Sequence, residues 1–408
     1  MAVIAVIACC DTKYHEIVFV REKIRAAGME PMVLDISTGE RVPIQGDISR
    51  EQILAVSGYT WEQVSKMDKS GAISAMTDGI CRMTRLLYEE KKIDGVIGMG
   101  GLQNTVVCSA ALRLLPVGFP KLICSTIASG YRYFDTVVGD KDIMVLPSIV
   151  DFAGMNPISQ AVLGNAVGAM VGMVSAGTSS IDTGGECYIA ATLMGITNDT
   201  VMQASDELAK RGRRTISFHS TGIGGKVMED LIRQGIIGAV MDLSLHEMTA
   251  EYFGGYGYSK GADNRLCAAA ETGIPALVCP GGIDFACLRS DELFEDAEER
   301  GYVWHNKDLT HTRLYEHEIL EITQTIVSRL NRSRGRTEVV LPLGGLRTLS
   351  RPGEFFYKPE TIRKMREIFE KELKPEIIFK TYDLNFCDPE FAHICAEEME
   401  RLLEAGGR

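Results

Sequence analysis

The chain has 408 residues, of which 43 are basic and 55 acidic, and this gives a formal net charge of −12. With 45% hydrophobic and 24% charged residues, it has the composition of a folded globular protein of two or three domains rather than of a disordered chain. Nucleic acids and anionic membranes are bound through clustered lysine and arginine, so the acidic balance argues against both kinds of partner.

In the first part of the chain, short apolar runs alternate with helical patterns. Residues 2–8 (AVIAVIA) form a continuous apolar run, which is typical of a strand buried on both faces of a parallel sheet. The elements predicted next are a helix at 15–27, a strand at 31–37, a polar stretch at 37–60, a helix at 70–91, a strand at 94–101, a helix at 103–114, a strand at 121–126 and an apolar segment at 144–151.

No charged side chain occurs between Phe152 and Ile181, and this stretch is long enough to span a bilayer. Gly164, Gly168 and Gly172 recur at intervals of four, so they share one helix face and let another helix pack closely. Because this is a single candidate in an otherwise polar chain, we interpret it as a buried interdomain or dimer-interface helix rather than a membrane span.

The strand and helix pattern then begins again. The predicted strands lie at 188–196, 214–220, 238–244, 274–280, 338–345 and 376–384, and the predicted helices at 199–211, 224–235, 263–272, 312–330, 360–371 and 388–404. Strands alternating with helices predict an α/β fold of two Rossmann-like domains, each a mainly parallel sheet flanked by helices, with ligands at the carboxyl ends of the strands. The polar, glycine-rich stretch at 175–186 sets the predicted domains at 1–180 and 181–408.

The eleven cysteines favour a reducing compartment. Their number is odd, they form no CxxC pair, and several lie in apolar runs where a thiol packs as a small hydrophobic group. The first residues, MAVIAVIACC, lack the basic region of a secretory signal. We therefore expect a cytoplasmic protein.

Two glycine-rich turns lie between a predicted strand and the helix after it, one in each half. Glycine lets backbone N–H groups approach an anion, and the helix adds its positive end, so each turn is a candidate phosphate site. The candidates are Gly98, Gly100, Gly101, Asn104 and Thr105 in the first turn, and Thr221, Gly222, Gly224 and Gly225 in the second. Neither turn fits the P-loop or the dinucleotide-binding pattern, and the alternative for each is a tight turn with no ligand.

Further polar residues follow other predicted strands. Asp11, Thr12 and Lys13 come after the first strand, and Ser125 and Thr126 come after the strand at 121–126. We predict that these five residues line the same nucleotide site, with Lys13 neutralising a phosphate. The alternative is a helix cap with a solvated lysine.

Three residues of the second half are candidate catalytic groups. His219 ends a strand beside the second glycine turn, and Asp242 and Glu247 lie in or just after the strand at 238–244. An imidazole can act as acid or base, and the two carboxylates can hold Mg²⁺ or move protons. The alternatives are a packed imidazole and a solvated helix face. No histidine and cysteine spacing predicts a metal site built from protein ligands.

Long segments of the chain resemble the Tm-one-like ATP-binding domain family, a group of largely uncharacterised proteins with a plant virus-resistance member. The resemblance runs through IACCDTKYHE, IGMGGLQNT, LPVGFPKLICSTIASG, IVDFAGMNPIS, FHSTGIGGKVMEDLI, GAVMDLSLHEMTAEYFGG, GIPALVCPGGIDF and LPLGGLRTLSRPG, and ends in DLNFCDPEFA. It implies two Rossmann-like domains, ATP binding and homodimers. The family's first glycine turn reads roughly GGSGGT, and larger residues stand here at 102–104, which favours the second turn as the phosphate site.

These observations leave two functions open. The first is a nucleotide-dependent regulator or interaction protein that binds ATP, with or without Mg²⁺, and does no chemistry. The alternative is an enzyme that acts on a small phosphorylated, sugar-like or acidic metabolite in a cleft between the domains. Missing catalytic motifs favour the first function, and the many polar groups at strand ends favour the second.

Overall fold

The computed structural model describes residues 1–39, 43–128, 137–177, 181, 183–255 and 264–405. The chain divides into two compact units, Met1–Asp182 and Thr183–Arg408. Residue 180, at the predicted domain boundary, and residue 263, at the start of the predicted helix 263–272, lie outside the described residues.

The N-terminal unit is built on a parallel sheet of five strands. The strands are β1 (Val3–Ala8), β2 (Glu30–Asp35), β3 (Gly95–Gly100), β4 (Lys121–Ser125) and β5 (Met144–Pro147), in the spatial order β2-β1-β3-β4-β5. Its helices are α1 (Tyr14–Ala26), α2 (Arg50–Ala55), α3 (Trp61–Val64), α4 (Lys69–Glu89), α5 (Leu102–Leu112) and α6 (Pro157–Ser175). The chain runs from β1 outward to β2 and then returns to the other side of β1, so the strand order reverses between β1 and β3.

Both faces of this sheet are covered. In β1, Ala5 and Ile7 belong to the core beneath α4 and α5, whereas Ile4 and Val6 belong to the core beneath α1 and α6. This burial on both sides explains why β1 is apolar at every position instead of alternating.

The polar stretch at 37–60 contains a helix that the sequence analysis did not predict, and a second short helix follows it. Ser49 starts α2 and Thr60 starts α3, and each forms a capping box with the glutamine three residues later. These caps satisfy amides at the start of each helix and so compensate for weak apolar periodicity. The S/T-x-x-Q pattern was a readable signal for both helices.

Helix α6 is long and apolar enough to cross a membrane by length and composition alone, which is weak evidence because core helices pass the same test. Leu163, Val167 and Met170 are buried in the core against the first sheet. Gly168 and Gly172 are exposed, and a Cβ atom added to either would meet nothing within 4 Å. Within the described residues, the glycine face therefore has no close helix against it.

The C-terminal unit has a larger parallel sheet and a small antiparallel one. Its strands are β6 (Tyr188–Leu193), β7 (Arg214–His219), β8 (Ile237–Ser244), β9 (Ala276–Gly281), β10 (Phe285–Arg289), β11 (Tyr302–Trp304), β12 (Leu309–Arg313), β13 (Thr337–Pro342) and β14 (Ile378–Tyr382). The large sheet has the order β7-β6-β8-β9-β13-β14, and the small sheet the order β10-β12-β11. The predicted fold class, two Rossmann-like units with mainly parallel sheets, is confirmed.

The C-terminal unit has eight α-helices among the described residues. They are α7 (Asn198–Lys210), α8 (Ile223–Arg233), α9 (His246–Tyr252), α10 (Ala268–Thr272), α11 (Ala297–Arg300), α12 (Glu316–Leu330), α13 (Pro359–Glu372) and α14 (Pro389–Glu404). The prediction of a helix from residue 312 is wrong at its start, because Thr312 and Arg313 pair with Ala286 and Phe285 in the small sheet. The described part of the predicted helix 263–272 is helical only from Ala268.

Candidate functional site

The turn after β3 lies where the strand order of the first sheet reverses. In open α/β sheets of the order 2-1-3-4-5, ligands bind outside the carboxyl ends of the strands at this reversal. Gly100 has a φ of +145°, and a Cβ atom there would lie 2.6 Å from Cβ of Asn104, so only glycine fits this position. The tight turn delivers the chain directly from β3 into α5.

The start of α5 carries free backbone donors. Gly101 is the N-cap residue and provides no side-chain cap, and the amides of residues 102–104 donate to no group among the described residues. Leu102 is exposed, so this helix end faces outward. Unsatisfied N–H groups at a helix N-terminus, together with the helix dipole, favour an anion there.

The larger residue at position 104 does not obstruct the helix end. Asn104 is buried, and its side chain turns inward, where Oδ1 accepts from the Cys9 thiol at 3.1 Å and Nδ2 lies 3.4 Å from the Met99 carbonyl oxygen. Burial raises the pKa of the Cys9 thiol well above its usual range. The thiol therefore stays protonated, and its hydrogen bond to Asn104 links the turn after β1 to the turn after β3.

The other predicted residues of the first unit surround the same edge. Thr105 Oγ1 lies 2.6 Å from Ser125 Oγ and donates to the Gly101 carbonyl oxygen at 2.8 Å, so both hydroxyls are already bonded. Thr126 is half-buried, and its amide donates to the carbonyl oxygen of Gly100. Gly98 packs on Cys108, and a side chain at Gly98 would collide with this cysteine.

The turn after β1 is fixed by its own contacts. Asp11 Oδ2 accepts from the Gly39 amide at 3.0 Å, and Lys13 Nζ donates to the Phe152 carbonyl oxygen at 2.6 Å. Thr12 is exposed. An ammonium group has three donors, so Lys13 retains capacity for a phosphate oxygen beside its bond to Phe152.

The second glycine turn already holds a carboxylate of the chain itself. The amides of Gly222 and Gly225 donate to Glu247 Oε1 at 2.7 and 3.0 Å, and Glu247 is completely buried. A side chain at Gly224 would collide with the His219 carbonyl oxygen, so the turn is tightly packed. A phosphate at these amides would have to displace Glu247. The geometry thus reverses the order of preference that the sequence suggested between the two turns.

Arg265 is the counter-charge of the buried Glu247. Its guanidinium, with no exposed surface, lies 2.5 Å from Glu247, 2.7 Å from Asp242 and 3.3 Å from Glu229. Burial opposes the charge of Arg265, but the three carboxylates outweigh it and raise its pKa above the ordinary value. Burial raises the pKa of Glu229, against the opposing effect of Arg265. Neither Arg265 nor Glu229 was predicted from the sequence.

The structure does not assemble the three predicted catalytic residues into one group. His219 is exposed, and its Nδ1 lies 2.9 Å from Thr221 Oγ1, whereas Asp242 and Glu247 are ion-paired inside the protein. In the part of the chain that the structure describes, no three histidine, cysteine, aspartate or glutamate side chains could hold a metal ion.

A second polar cluster lies at the ends of β8, β9 and β13, and its members Arg347 and His246 were not predicted from the sequence. The guanidinium of Arg347 has no exposed surface and lies 3.9 Å from the ring centroids of both Phe285 and Phe356. Its Nε lies 3.1 Å from Asp284 Oδ1, and its Nη1 lies 3.2 Å from His311 Nδ1. The readable signal was a polar residue shortly after each of two glycine pairs, 281–282 and 344–345.

Two histidines of this cluster are held neutral. His246 Nδ1 donates to the Gly282 carbonyl oxygen at 2.9 Å, and the imidazole stacks on Phe285. Burial lowers the pKa of His246 to about 4. Burial and the charge of Arg347 lower the pKa of His311 to about 3. Both imidazoles are therefore uncharged at neutral pH.

The fold and these strand-end sites define a two-unit α/β protein with parallel sheets. The chain matches both domains of the family described as "Uncharacterised protein family (UPF0261)". The family's N-terminal domain matches residues 2–179, and its C-terminal domain matches residues 186–403. The chain belongs to this family, and the resemblance found in the sequence is confirmed.

Relatives are similar over nearly the whole chain. A UPF0261 protein of Clostridium tetani is 34% identical over 98% of this chain and 99% of its own length. The ToMV resistance protein Tm-1(GCR237) of Solanum lycopersicum is 30% identical over 95% of this chain, which spans only 54% of that protein.

Solved structures are more distant. The UDP-GlcNAc 2-epimerases of Methanocaldococcus jannaschii and Neisseria meningitidis are 9% and 15% identical, with TM-scores of 0.24 and 0.21. The first alignment covers 97% of this chain and 92% of that one, and the second 68% and 82%. Likenesses this low carry no argument about function.

Proposed function

We propose that the chain binds ATP or a related nucleotide in its N-terminal unit, with the phosphates at the start of α5. The observation that carries the proposal is the outward-facing set of unbonded amides after Gly101, at the reversal of strand order in the first sheet. In the second unit, by contrast, Glu247 occupies two amides of the corresponding turn. Lys13 supplies a positive charge beside the phosphates, and Mg²⁺ enters bound to them.

The contacts in the N-terminal unit support a nucleotide-binding regulator better than an enzyme. Thr105 and Ser125 bond to each other, and Asp11 bonds to the Gly39 amide, so these groups serve the turns rather than a reacting atom. Incubation with ATP and Mg²⁺ tests this: ATP should remain intact over hours, and release of ADP, AMP or pyrophosphate would instead favour an enzyme.

An enzyme acting on a small acidic metabolite in the C-terminal unit is the second candidate function. The Arg347 cluster supports it, because groups with strongly perturbed pKa values, here His246 and His311 beside Arg347, are candidates for functional sites. Structural networks also perturb pKa values, so a screen of carboxylate ligands by thermal shift is the first test. Stabilisation that is lost in Arg347→Met would favour the enzyme.

A matched pair of glycine substitutions tests the nucleotide site. Gly101 has ordinary backbone angles, and a Cβ atom there meets only Thr126 Oγ1 at 3.6 Å, so Gly101→Leu should fold and cover the helix end. We expect ATP affinity, measured by calorimetry, to fall about tenfold or more, the equivalent of roughly one charge-assisted hydrogen bond.

Gly195→Leu is the control for Gly101→Leu. Gly195 follows β6, where the second sheet reverses its order, and a Cβ atom there meets nothing within 4 Å. ATP affinity should be unchanged in this variant. The opposite result, a loss with Gly195→Leu and none with Gly101→Leu, would move the site to the C-terminal unit, and no binding of millimolar ATP to the wild type would refute the proposal.

A further inference from the structure

A cavity of about 390 Å³ lies beyond the carboxyl end of β2. It is lined by Asp35, the last residue of β2, by residues 44–46 and by the start of α2, including Arg50. The volume lies within the range of small-molecule sites. Neither predicted glycine turn contributes to its wall.

Asp35 presents one unused oxygen in this wall. The residue is only 3% exposed, and its Oδ1 accepts from the amides of Cys10 at 3.1 Å and Ser37 at 2.9 Å, and from the Ser37 hydroxyl. Its Oδ2 has no hydrogen-bond donor among the described residues. A carboxylate oxygen that accepts from no described residue is free to accept a hydrogen bond from a ligand hydroxyl group.

Arg50, which also lines the cavity, is held in place by several contacts. Its guanidinium lies 3.4 Å from the ring centroid of Trp61, and its Nε lies 3.1 Å from Glu51 Oε1. Nη1 also donates to the Gly39 carbonyl oxygen. These contacts fix a planar cation at the cavity, and such a plane stacks well on an aromatic base.

We propose that this cavity holds the nucleoside part of the nucleotide, with a ribose hydroxyl donating to Asp35 Oδ2. This inference rests on the proposed function. Neighbouring strands are spaced about 4.8 Å apart, so the end of β2 lies about 10 Å from the end of β3, with β1 between them. Phosphates at the start of α5 and a ribose at Asp35 thus lie along one continuous edge, and in dinucleotide-binding sheets an acidic side chain likewise accepts from a ribose hydroxyl.

The test compares ATP, 2′-deoxy-ATP, 3′-deoxy-ATP and inorganic tripolyphosphate by calorimetry with the full chain. At least one deoxynucleotide should bind the wild type about tenfold or more weakly than ATP. Asp35→Asn keeps the Oδ1 acceptor but replaces Oδ2 by a donor. It should weaken ATP binding by a similar factor, abolish the discrimination against the deoxynucleotide and leave tripolyphosphate affinity unchanged.

A second variant blocks the cavity without touching Asp35. Gln45 is exposed and borders the cavity, so Gln45→Trp should weaken ATP binding but not tripolyphosphate binding, whereas Gln160→Trp, at an exposed position of α6, should change neither. Equal losses for ATP and tripolyphosphate in Asp35→Asn, or retained discrimination, would overturn the inference. If the wild type binds ATP and tripolyphosphate equally, only the nucleoside site fails. If it binds neither, the proposed function fails as well.

Discussion

Arg265→Met should destabilise the C-terminal unit by about 3–5 kcal/mol, the usual cost of leaving buried charges without their partner. Arg265 is the common counter-charge of Asp242, Glu247 and Glu229, and at most 2% of any of these side chains is exposed. Methionine fills a similar volume without charge, so the loss of stability reports electrostatics rather than a cavity.

Trp61 lies in the N-terminal unit and Trp304 in the C-terminal unit, and the chain has no other tryptophan. Urea unfolding of a Trp61→Phe background, followed by Trp304 fluorescence, therefore measures this unit alone.

Arg233→Met is the matched control. Arg233 lies 2.8 Å from Glu271 in the same unit, but 34% and 56% of these two side chains are exposed, so its loss should cost less than about 1 kcal/mol. Arg265→Lys keeps a charge but not the fork of donors, so it should fall between the two and remains measurable if Arg265→Met does not fold. Equal effects of Arg265→Met and Arg233→Met would contradict the role assigned to the cluster.

The Arg265 cluster also shows where sequence reasoning reaches its limit. The glycine turn at 221–225 resembles an anion site because its glycines and position suit one. Its occupant, Glu247, is more than twenty residues away, and Glu247 is retained by Arg265, which lies further along the chain. Contacts this remote depend on strand order and register, and no local pattern encodes them. The glycine turn could be predicted from the sequence. That Glu247 of the same chain occupies it could not.

Much more of the fold than of the Arg265 cluster could be predicted from the sequence. Strands such as β1, β8 and β13 are buried on both faces and appear as apolar runs, and the glycine after α1 marks a helix end. The small sheet was missed because β12 reads LTHTR, whose polar side chains are buried through contacts with other elements rather than through an apolar period. Asp35 was seen only as part of a strand, because its unused oxygen and the cavity beside it depend on the loop at 43–49 folding back along β2.

Lowering the pH from 7 to 4 should destabilise the C-terminal unit through His246 and His311. Their pKa values in the folded protein, about 4 and about 3, lie below the ordinary 6.5, so between these values the unfolded chain binds more protons and stability falls as pH falls. A shift from 6.5 to about 4, at 1.36 kcal/mol for each pKa unit, corresponds to about 3 kcal/mol for His246. The loss begins near pH 6.5 and is complete for His246 below pH 4.

Asparagine can replace each imidazole while keeping its observed hydrogen bond. His246→Asn retains a donor for the Gly282 carbonyl oxygen, and His311→Asn retains an acceptor for Arg347 Nη1. The double variant should be less stable than the wild type at pH 7 because it loses ring packing. Its free energy of unfolding, measured by Trp304 fluorescence in urea, should nevertheless fall less steeply between pH 6.5 and 4.

His393→Asn separates this effect from general acid destabilisation. His393 is exposed, and its bond to Glu207 raises its pKa, so it stabilises the fold at low pH and opposes the trend of the buried pair. Its removal should leave the decline between pH 6.5 and 4 in place or slightly steeper. Parallel declines in the wild type and the double variant would show that the two imidazoles bind protons alike in the folded and unfolded chains, and would contradict the lowering of their pKa values by burial.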